Sequence, residues 1–565
     1  MVEARAAYPA WNNLAEMMFS RAAQWPDRPM LRHHAADGAW HGIGWGEFAR
    51  HAAAAARGLL RAGVGPGDRV LIVSENRPEY PIAETALLAI RAIPVPAYVT
   101  NTVADHAHVL RDSGARAAIV ANATLAERVS AAGPLDLLVT LDGSVGIAWS
   151  GLLGDTSAPP HDIAALAAGI PSGALACIIY TSGTGGTPKG VMLPHRAILA
   201  NCRGAFELVR PLRLDRETYL SFLPLSHSYE HTAGQFLLLS LGTEIVYARG
   251  IEHLAADMLA VRPTILAMVP RILEVIRARI LAQVGREPTW RQALFHRAIR
   301  LGLRRSEGAR LGPLEVIADR ALERLVRAKV RARFGGRLRA MISGGARLEP
   351  EVGHFFQALG VTLIQGYGQT EAGPVISATP PYAARIDTVG PPLTGVELRI
   401  AEDSEILVRG DLVMDGYWGR PDDTAAVIRD GWLHTGDVGV IEANGDLRIT
   451  DRKKDIIVLS GGENVSPARV EGLALMAAQI AQIVVFGDGR ASLAALVVAA
   501  PDCNEAAVAA AIAAVNQRLA VSERIRRHAL VPPFTIEGGL LTATQKIRRR
   551  HVLAEHAELV ARLGG

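Results

Sequence analysis

A chain of 565 residues is too long for one hydrophobic core, so two or more domains are expected, and 49% hydrophobic residues supply ample material to fill them. A formal net charge of +4 is too mild to argue for nucleic acid, and Cys177, Cys202 and Cys503 lie far apart without metal-ligand or CxxC spacing, which fits a reducing, cytoplasmic compartment. Met1 to Trp11 hold no apolar core of a secretory signal, and the longest apolar runs are broken by Glu84 and Arg91 or by Gly242 and Glu244, short of the about 20 residues of a membrane span.

Residues 1 to about 175 alternate helical patterns with short apolar runs. Ala52 to Leu60 and Tyr80 to Ala89 read as helices. Arg69–Val73, Ile93–Pro96, Ala117–Val120 and Leu137–Thr140 read as strands, the first ending at Ser74-Glu75-Asn76. That alternation implies parallel βαβ units. Gly151 to Ser172 has little pattern and reads as loop, and no repeat of 20–50 residues is visible.

The next stretch organises the chain. An apolar strand end, Leu175 to Ile179, runs into Tyr180-Thr181-Ser182-Gly183-Thr184-Gly185-Gly186-Thr187-Pro188-Lys189-Gly190, and a helix begins near Ala197. Glycines let backbone approach a ligand closely, exposed N–H groups form an anion nest, and hydroxyls add donors. With Lys189 as a mobile cation, the residues describe a loop that handles polyphosphate. The Walker pattern fails on register, because Pro188 precedes Lys189 and Gly190 stands where Ser or Thr is needed.

Downstream, Leu220 to Leu225 runs into Ser226-His227-Ser228-Tyr229-Glu230, and Ala233 to Leu241 reads as a helix of small residues. Residues 271–339 carry 18 Lys and Arg against 6 Asp and Glu, an excess of 12. There Ala318, Leu322, Val326, Val330 and Phe334 recur at i+4, with Ile317, Ala321 and Leu325 beside them, as one apolar face of a basic helix. A solvated helix packed on its own domain and a surface for acidic lipid head groups or CoA phosphates both fit that pattern. Two strands then end in turns, Met341 to Ser343 before Gly344-Gly345-Ala346 and Leu363 to Gln365 before Gly366-Tyr367-Gly368-Gln369-Thr370-Glu371. Ligands of α/β sheets bind beyond such strand ends. Short strands over 405–451 enclose His434-Thr435-Gly436-Asp437, and a charged cluster, Asp451-Arg452-Lys453-Lys454-Asp455, marks a domain boundary.

Beyond it, Ser460-Gly461-Gly462-Glu463-Asn464 precedes a small α+β pattern: helix Pro467 to Ala478, strands Ile480 to Phe486 and Leu493 to Ala499, helix Glu505 to Leu519. Thr542-Ala543-Thr544-Gln545-Lys546 closes it.

Taken in order, these motifs resemble the adenylate-forming superfamily of AMP-binding acyl-CoA synthetases, luciferases and adenylation domains, and the 271–339 insertion with Thr-x-Thr-x-Lys is similar to its long-chain fatty-acid–CoA ligase branch. The resemblance spans nearly the whole chain. Two positions depart from the usual pattern: Gly185 where Thr is common, and Gln545 where Gly is common. The fold implied is α/β, with a large N-terminal domain (1–451) of parallel and mixed sheets flanked by helices, a β-barrel-like subdomain, and a small mobile α+β domain (452–565).

The resemblance also implies roles. Thr181, Ser182, Gly183, Thr184, Gly185, Gly186, Thr187 and Lys189 would grip the phosphates of ATP. Gly345, Ala346, Tyr367 and Gly368 would frame the adenine, while Asp437 and Arg452 would hold the ribose. Thr370 would touch the α-phosphate, and Glu371 with Thr181 would hold Mg²⁺, a hard cation suited to oxygen ligands. His227 would lie beside the acyl pocket and the thiol path, with the helix after it lining the acyl channel. Lys454 would sit at the hinge, Gly461 and Gly462 along the pantetheine tunnel, and Lys546 would be the adenylation lysine. The implied activity is ATP-dependent conversion of a fatty acid to acyl-AMP, then to acyl-CoA with coenzyme A. An acyl-AMP ligase that loads a carrier protein and a non-catalytic nucleotide-binding relative remain as alternatives, and peripheral membrane contact through 271–339 and a homodimer remain open.

Overall fold

The structure, a computed structural model, describes residues 7–181, 187–382, 385–536, 538–542 and 545–564. Its largest sheet has eight strands in the order Val375–Ala378, Leu363–Gly368, Ala340–Ser343, Ile265–Met268, Thr218–Ser221, Glu244–Tyr247, Pro29–His34 and Trp40–Gly44. The six inner strands pair in parallel and both edges are antiparallel. The carboxyl ends of the inner strands therefore share one rim, where the turns singled out above gather.

A second sheet, wholly parallel, runs Ile93–Ala97, Arg69–Val73, Ala117–Val120, Leu137–Thr140, Ile147–Ala148, as the βαβ reading expects. Its strands are almost entirely buried, the mark of a sheet covered on both faces. Leu175–Tyr180, Gly190–Pro194 and Gly416–Tyr417 form a small antiparallel sheet, so the glycine- and hydroxyl-rich segment connects two paired strands. The barrel-like part is a five-stranded antiparallel sheet of Glu397–Ile400, Glu405–Arg409, Trp432–Ile441, Ile428–Arg429 and Leu447–Arg452. Residues 457–563 gather into two apolar clusters of their own on the two faces of the sheet Ile480–Phe486, Leu493–Ala499, Ile525–Leu530.

Three expectations change. Gly151 to Ser172 is not plain loop: Trp149–Leu153 and His161–Ala168 are short helices, formed because Trp149, Leu152, Ile163 and Ala167 bury against the main core. The small-residue helix begins as a π-helix, Glu230–Phe236, before the α-turn Leu237–Ser240. The widened turn accommodates buried polar side chains. Glu84 accepts from His231 Nε2 at 2.5 Å and from Gln235 Nε2 at 2.6 Å, with Glu84 and His231 each 1% exposed. Glu84→Ala would strand both donors in the interior, so a loss of about 3–5 kcal/mol in urea-unfolding free energy is expected; a change under 1 kcal/mol would remove the structural weight given to this cluster.

The third change concerns the basic segment. It folds as Pro270–Gly285, Thr289–Ser306 and Pro313–Leu322, continued by a π-turn, Glu323–Arg327, and Ala328–Ala332. An i+4 stripe drifts about 40° per step on a regular α-helix, and the extra residue of the π-turn corrects the drift. Leu322 and Phe334 are thus buried with Val326 and Val330 packed beside the core, but Ile317 and Leu325 face water and do not join that stripe. Arg327, 0% exposed, donates to Asp319, to Glu323 Oε2 at 2.8 Å and to the Ala298 carbonyl at 2.8 Å, so every arm of the guanidinium is engaged. Among the described residues no helix is long and apolar enough to cross a membrane.

Candidate nucleotide-binding site

Four strand ends build the site. After Thr218–Ser221 the chain turns at Pro224 and presents His227. Asn76, at the end of strand Arg69–Val73, fixes this turn: its side chain donates to Ser221 Oγ (3.0 Å) and the Leu223 carbonyl (2.7 Å) and accepts from Leu225 N–H (3.1 Å). Ser221 in turn donates to Glu230 at 2.5 Å, and the Tyr219 hydroxyl donates to the same carboxylate at 2.7 Å. Burial pushes the Glu230 carboxyl up to about 7, against the opposing pull of those two donors. His227 accepts from Tyr229 N–H at Nδ1 (3.2 Å), which leaves the proton of the neutral ring on Nε2. Burial, then the Lys546 cation, lowers its pKa to about 3, so the ring is neutral at neutral pH.

Ser343 ends the strand Ala340–Ser343, two places along the same sheet, and Gly345 follows in the left-handed region (φ 81°), where glycine is unstrained. Gly345 and Ala346 are exposed to the cleft. Gly368 must be glycine for a different reason: a Cβ there would lie 1.8 Å from the Pro374 carbonyl oxygen. The turn after it sets Thr370 Oγ1 2.9 Å from Ser228 Oγ, joining two strand ends. Glu371 Oε1 accepts from the Tyr417 hydroxyl at 2.8 Å, and Lys189 Nζ lies 4.9 Å from the centre of the Tyr417 ring and 2.7 Å from Asp423 Oδ1. The lysine that closes the polyphosphate hairpin and the carboxylate expected to hold a metal thus share one aromatic neighbour. Glu371 offers the hard oxygen that Mg²⁺ prefers, and such ions commonly take one or two carboxylates and complete their shell with phosphate and water.

Asp437 stands directly across the sheet from Arg452 and is 3% exposed. It accepts from Arg452 Nε at 3.0 Å and from the Tyr367 hydroxyl at 2.7 Å. Burial first, then Asp437, drives the Tyr367 phenol well above its ordinary range.

Lys546 is brought toward the same cleft by hydrogen bonds that tie Gln545 and Lys546 back to Thr542. Gln545 N–H donates to the Thr542 carbonyl (2.8 Å), Thr542 N–H to the Lys546 carbonyl (2.8 Å), and Lys546 N–H to Thr542 Oγ1 (3.0 Å). Gln545 adopts φ 60°, a conformation easy for the glycine usual here and costly for other residues. Lys546 meets water in the cleft but has protein on most sides. That burial, reinforced by Arg452 and opposed by Asp437, brings its pKa down to about 8.

Lys189, His227, Thr370, Glu371, Tyr367, Asp437, Arg452 and Lys546 are therefore connected through one cleft. Ser182, Gly183, Thr184, Gly185 and Gly186 lie outside the described residues; Thr181 N–H donates to the Lys189 carbonyl at the neck of their loop (3.0 Å). Lys454, Gly461 and Gly462 are exposed, the glycines in the turn of the two-residue hairpin Ile457–Val458, Asn464–Val465. Sequence reasoning missed Asn76, Ser228, Tyr417 and Asp423. Ser228 and Asn76 lie inside strand-end motifs already singled out, but Tyr417 reaches the site through pairing with a strand more than 200 residues earlier, which no local pattern reveals.

Comparison with known proteins identifies the family. Residues 18–418 match the model of the AMP-binding enzyme family and residues 454–563 that of the AMP-binding enzyme C-terminal domain. The chain is 34% identical to the long-chain-fatty-acid–CoA ligase FadD15 of Mycobacterium bovis, over 97% of this chain and 96% of that protein. It is 30% identical to the peroxisomal long chain acyl-CoA synthetase 6 of Arabidopsis thaliana, over 92% and 81%. Among solved structures, an anthranilate CoA ligase in complex with anthranoyl-AMP superposes with a TM-score of 0.75 at 20% identity, covering 98% of this chain and 99% of that one. The O-succinylbenzoate CoA synthetase of Bacillus subtilis with ATP and magnesium gives 0.71 at 20% identity, covering 95% and 98%. With family models matched along most of its length and the strand-end cleft intact, the chain belongs to the AMP-binding enzyme family, the adenylate-forming enzymes that its motifs resemble.

Proposed function

We propose that the protein activates a long-chain fatty acid with ATP to acyl-AMP and passes the acyl group to coenzyme A, giving acyl-CoA, AMP and pyrophosphate. The observation that carries this reading is the entry of Lys546, from the C-terminal segment, into the cleft that holds Asp437, Arg452 and His227. The acid arrives as a carboxylate, so its attack on the α-phosphorus needs no proton transfer. What the site supplies is placement and neutralisation of charge.

In this reading Asp437 and Arg452 hold the ribose, and the Gly345 turn with Tyr367 walls the adenine. Lys546 lies between the carboxylate and the α-phosphate as negative charge grows there. Lys189 and the hairpin loop bind the departing pyrophosphate, and Thr370 orients the α-phosphate from its contact with Ser228. Mg²⁺, held by Glu371, would add positive charge on the phosphate oxygens. For the second step the segment beyond Arg452 swings about Lys454, withdraws Lys546 and brings the Gly461-Gly462 turn to the cleft, where the CoA sulfur attacks the acyl carbon and AMP leaves. The sheet strand Leu447–Arg452 runs through the expected boundary at 451 and 452, and the separate apolar clusters that begin beyond it, at Ile457, support a division just after Arg452. The buried π-helix after His227 would line the acyl pocket.

Release of AMP and pyrophosphate across short, long, aryl and branched acids tests the proposal, with CoA and a phosphopantetheinyl carrier protein as rival acceptors. Long-chain, CoA-dependent AMP release is expected; no carboxylate-dependent ATP–pyrophosphate exchange with any acid would overturn it. The pH profile gives a further check. A cationic Lys546 is present below its pKa of about 8 and lost above it. For the exchange reaction, kcat/KM, which reports free enzyme, should therefore fall as pH rises past about 8. A profile flat to pH 10 would exclude a lysine titrating there.

A further inference from the structure

The basic segment over 313–332 has two apolar stripes, and the second has no place in the core. Leu314, Ile317 and Leu325 are 82%, 65% and 55% exposed. The charges sort by face as well. Glu315, Asp319 and Glu323 recur at i+4 and are taken up by arginines of the same helical layer: Glu315 by Arg304, Asp319 by Arg305 and Arg327, Glu323 by Arg327 and Arg331. From 313 to 329 the exposed positions are Pro313, Leu314, Ile317, Arg320, Ala321, Arg324, Leu325, Ala328 and Lys329, with no carboxylate among them. Water-facing helices ordinarily present polar side chains outward; this one presents aliphatic groups and cations.

We propose that this face docks on a bilayer carrying anionic lipid, with Leu314, Ile317 and Leu325 entering the boundary between head groups and acyl chains and Arg320, Arg324 and Lys329 meeting the phosphates. Charge selects the occupant. A face with three cations, whose nearest acids Glu315 and Glu323 are already engaged by arginines, is not self-complementary, so a two-fold contact with a second copy would set like charges opposite one another. An anionic lipid surface offers both the negative charge and the apolar layer. The inference rests on the fatty-acid reading above, since such acids partition into bilayers and the docked face would bring the enzyme to its substrate.

The test is flotation of the full-length protein with phosphatidylcholine vesicles, with and without phosphatidylglycerol, in the absence of ATP and acid. Binding to the anionic vesicles only, weakened by salt, is expected. Arg320→Gln/Arg324→Gln/Lys329→Gln should weaken it about 100-fold, and Leu314→Asn/Ile317→Asn/Leu325→Asn should abolish it. All six positions are exposed, so folding and exchange activity on a water-soluble short acid should be retained. Equal flotation of variants and wild type, or none by wild type, overturns the proposal, as does concentration-dependent self-association by light scattering that the aliphatic variant removes. Because flotation requires no turnover, failure of the fatty-acid reading would register separately, in the exchange assay.

Discussion

Lys546→Ala is expected to slow acyl-adenylate formation about 10³-fold while thioester formation from preformed acyl-adenylate stays near the wild-type rate. Lys546 is contributed by the segment after Arg452, and its cation sits near both Asp437 and His227. Charge placed beforehand in a partly desolvated cleft acts on the transition state without reorganisation, and its removal is correspondingly costly. In the proposed second step the C-terminal segment is turned away, and this lysine would have no part. Single-turnover assays of each half-reaction separate the two, and equal losses in both would refute the division of labour.

Asp437→Ala is expected to raise KM for ATP about 100-fold, with a smaller change in kcat. A buried carboxylate accepting two ribose hydroxyls makes charge-assisted hydrogen bonds worth about 1.5–3 kcal/mol, and the alanine variant loses them in ground state and transition state alike. The free protein pays separately: the Tyr367 hydroxyl, now 2.7 Å from Asp437 Oδ2, would be left without that acceptor inside the fold. A drop of about 1–3 kcal/mol in unfolding free energy follows. Arg452, with its side chain 52% exposed, resumes contact with water and adds little to that loss. An unchanged KM with a large fall in kcat would place Asp437 in the chemical step and not at the ribose.

Much of this architecture was legible in the sequence because the signals are local. Parallel strands such as Arg69–Val73 and Ala117–Val120 announce themselves as short apolar runs between helical patterns. The motifs around Gly345 and Thr370 lie at strand ends, where composition changes abruptly from apolar to glycine and hydroxyl, whereas Asp437 sits within the strand Trp432–Ile441. What escaped is non-local or depends on geometry finer than period. Tyr417 is defined as a site residue only by an antiparallel pairing with Val191. The hydrogen bonds of Asn76 tie the loop after one sheet to a strand end of another. The π-turns at Glu230–Phe236 and Glu323–Arg327 differ from α-helix by a single residue, below what apolar spacing distinguishes. Ile317 and Leu325 each lie about 100° round the helix from the neighbouring stripe positions Ala318 and Val326, and so face water and not the core.

The π-turn at Glu323–Arg327 also makes this segment tolerant of one particular length change. Deleting a single residue inside it would restore ordinary α-helical pitch and keep Val330 and Phe334 on the core face, because the surplus residue is what the wide turn absorbs. The same deletion in the regular helix on either side would instead turn everything downstream by about 100° and carry that face off the core.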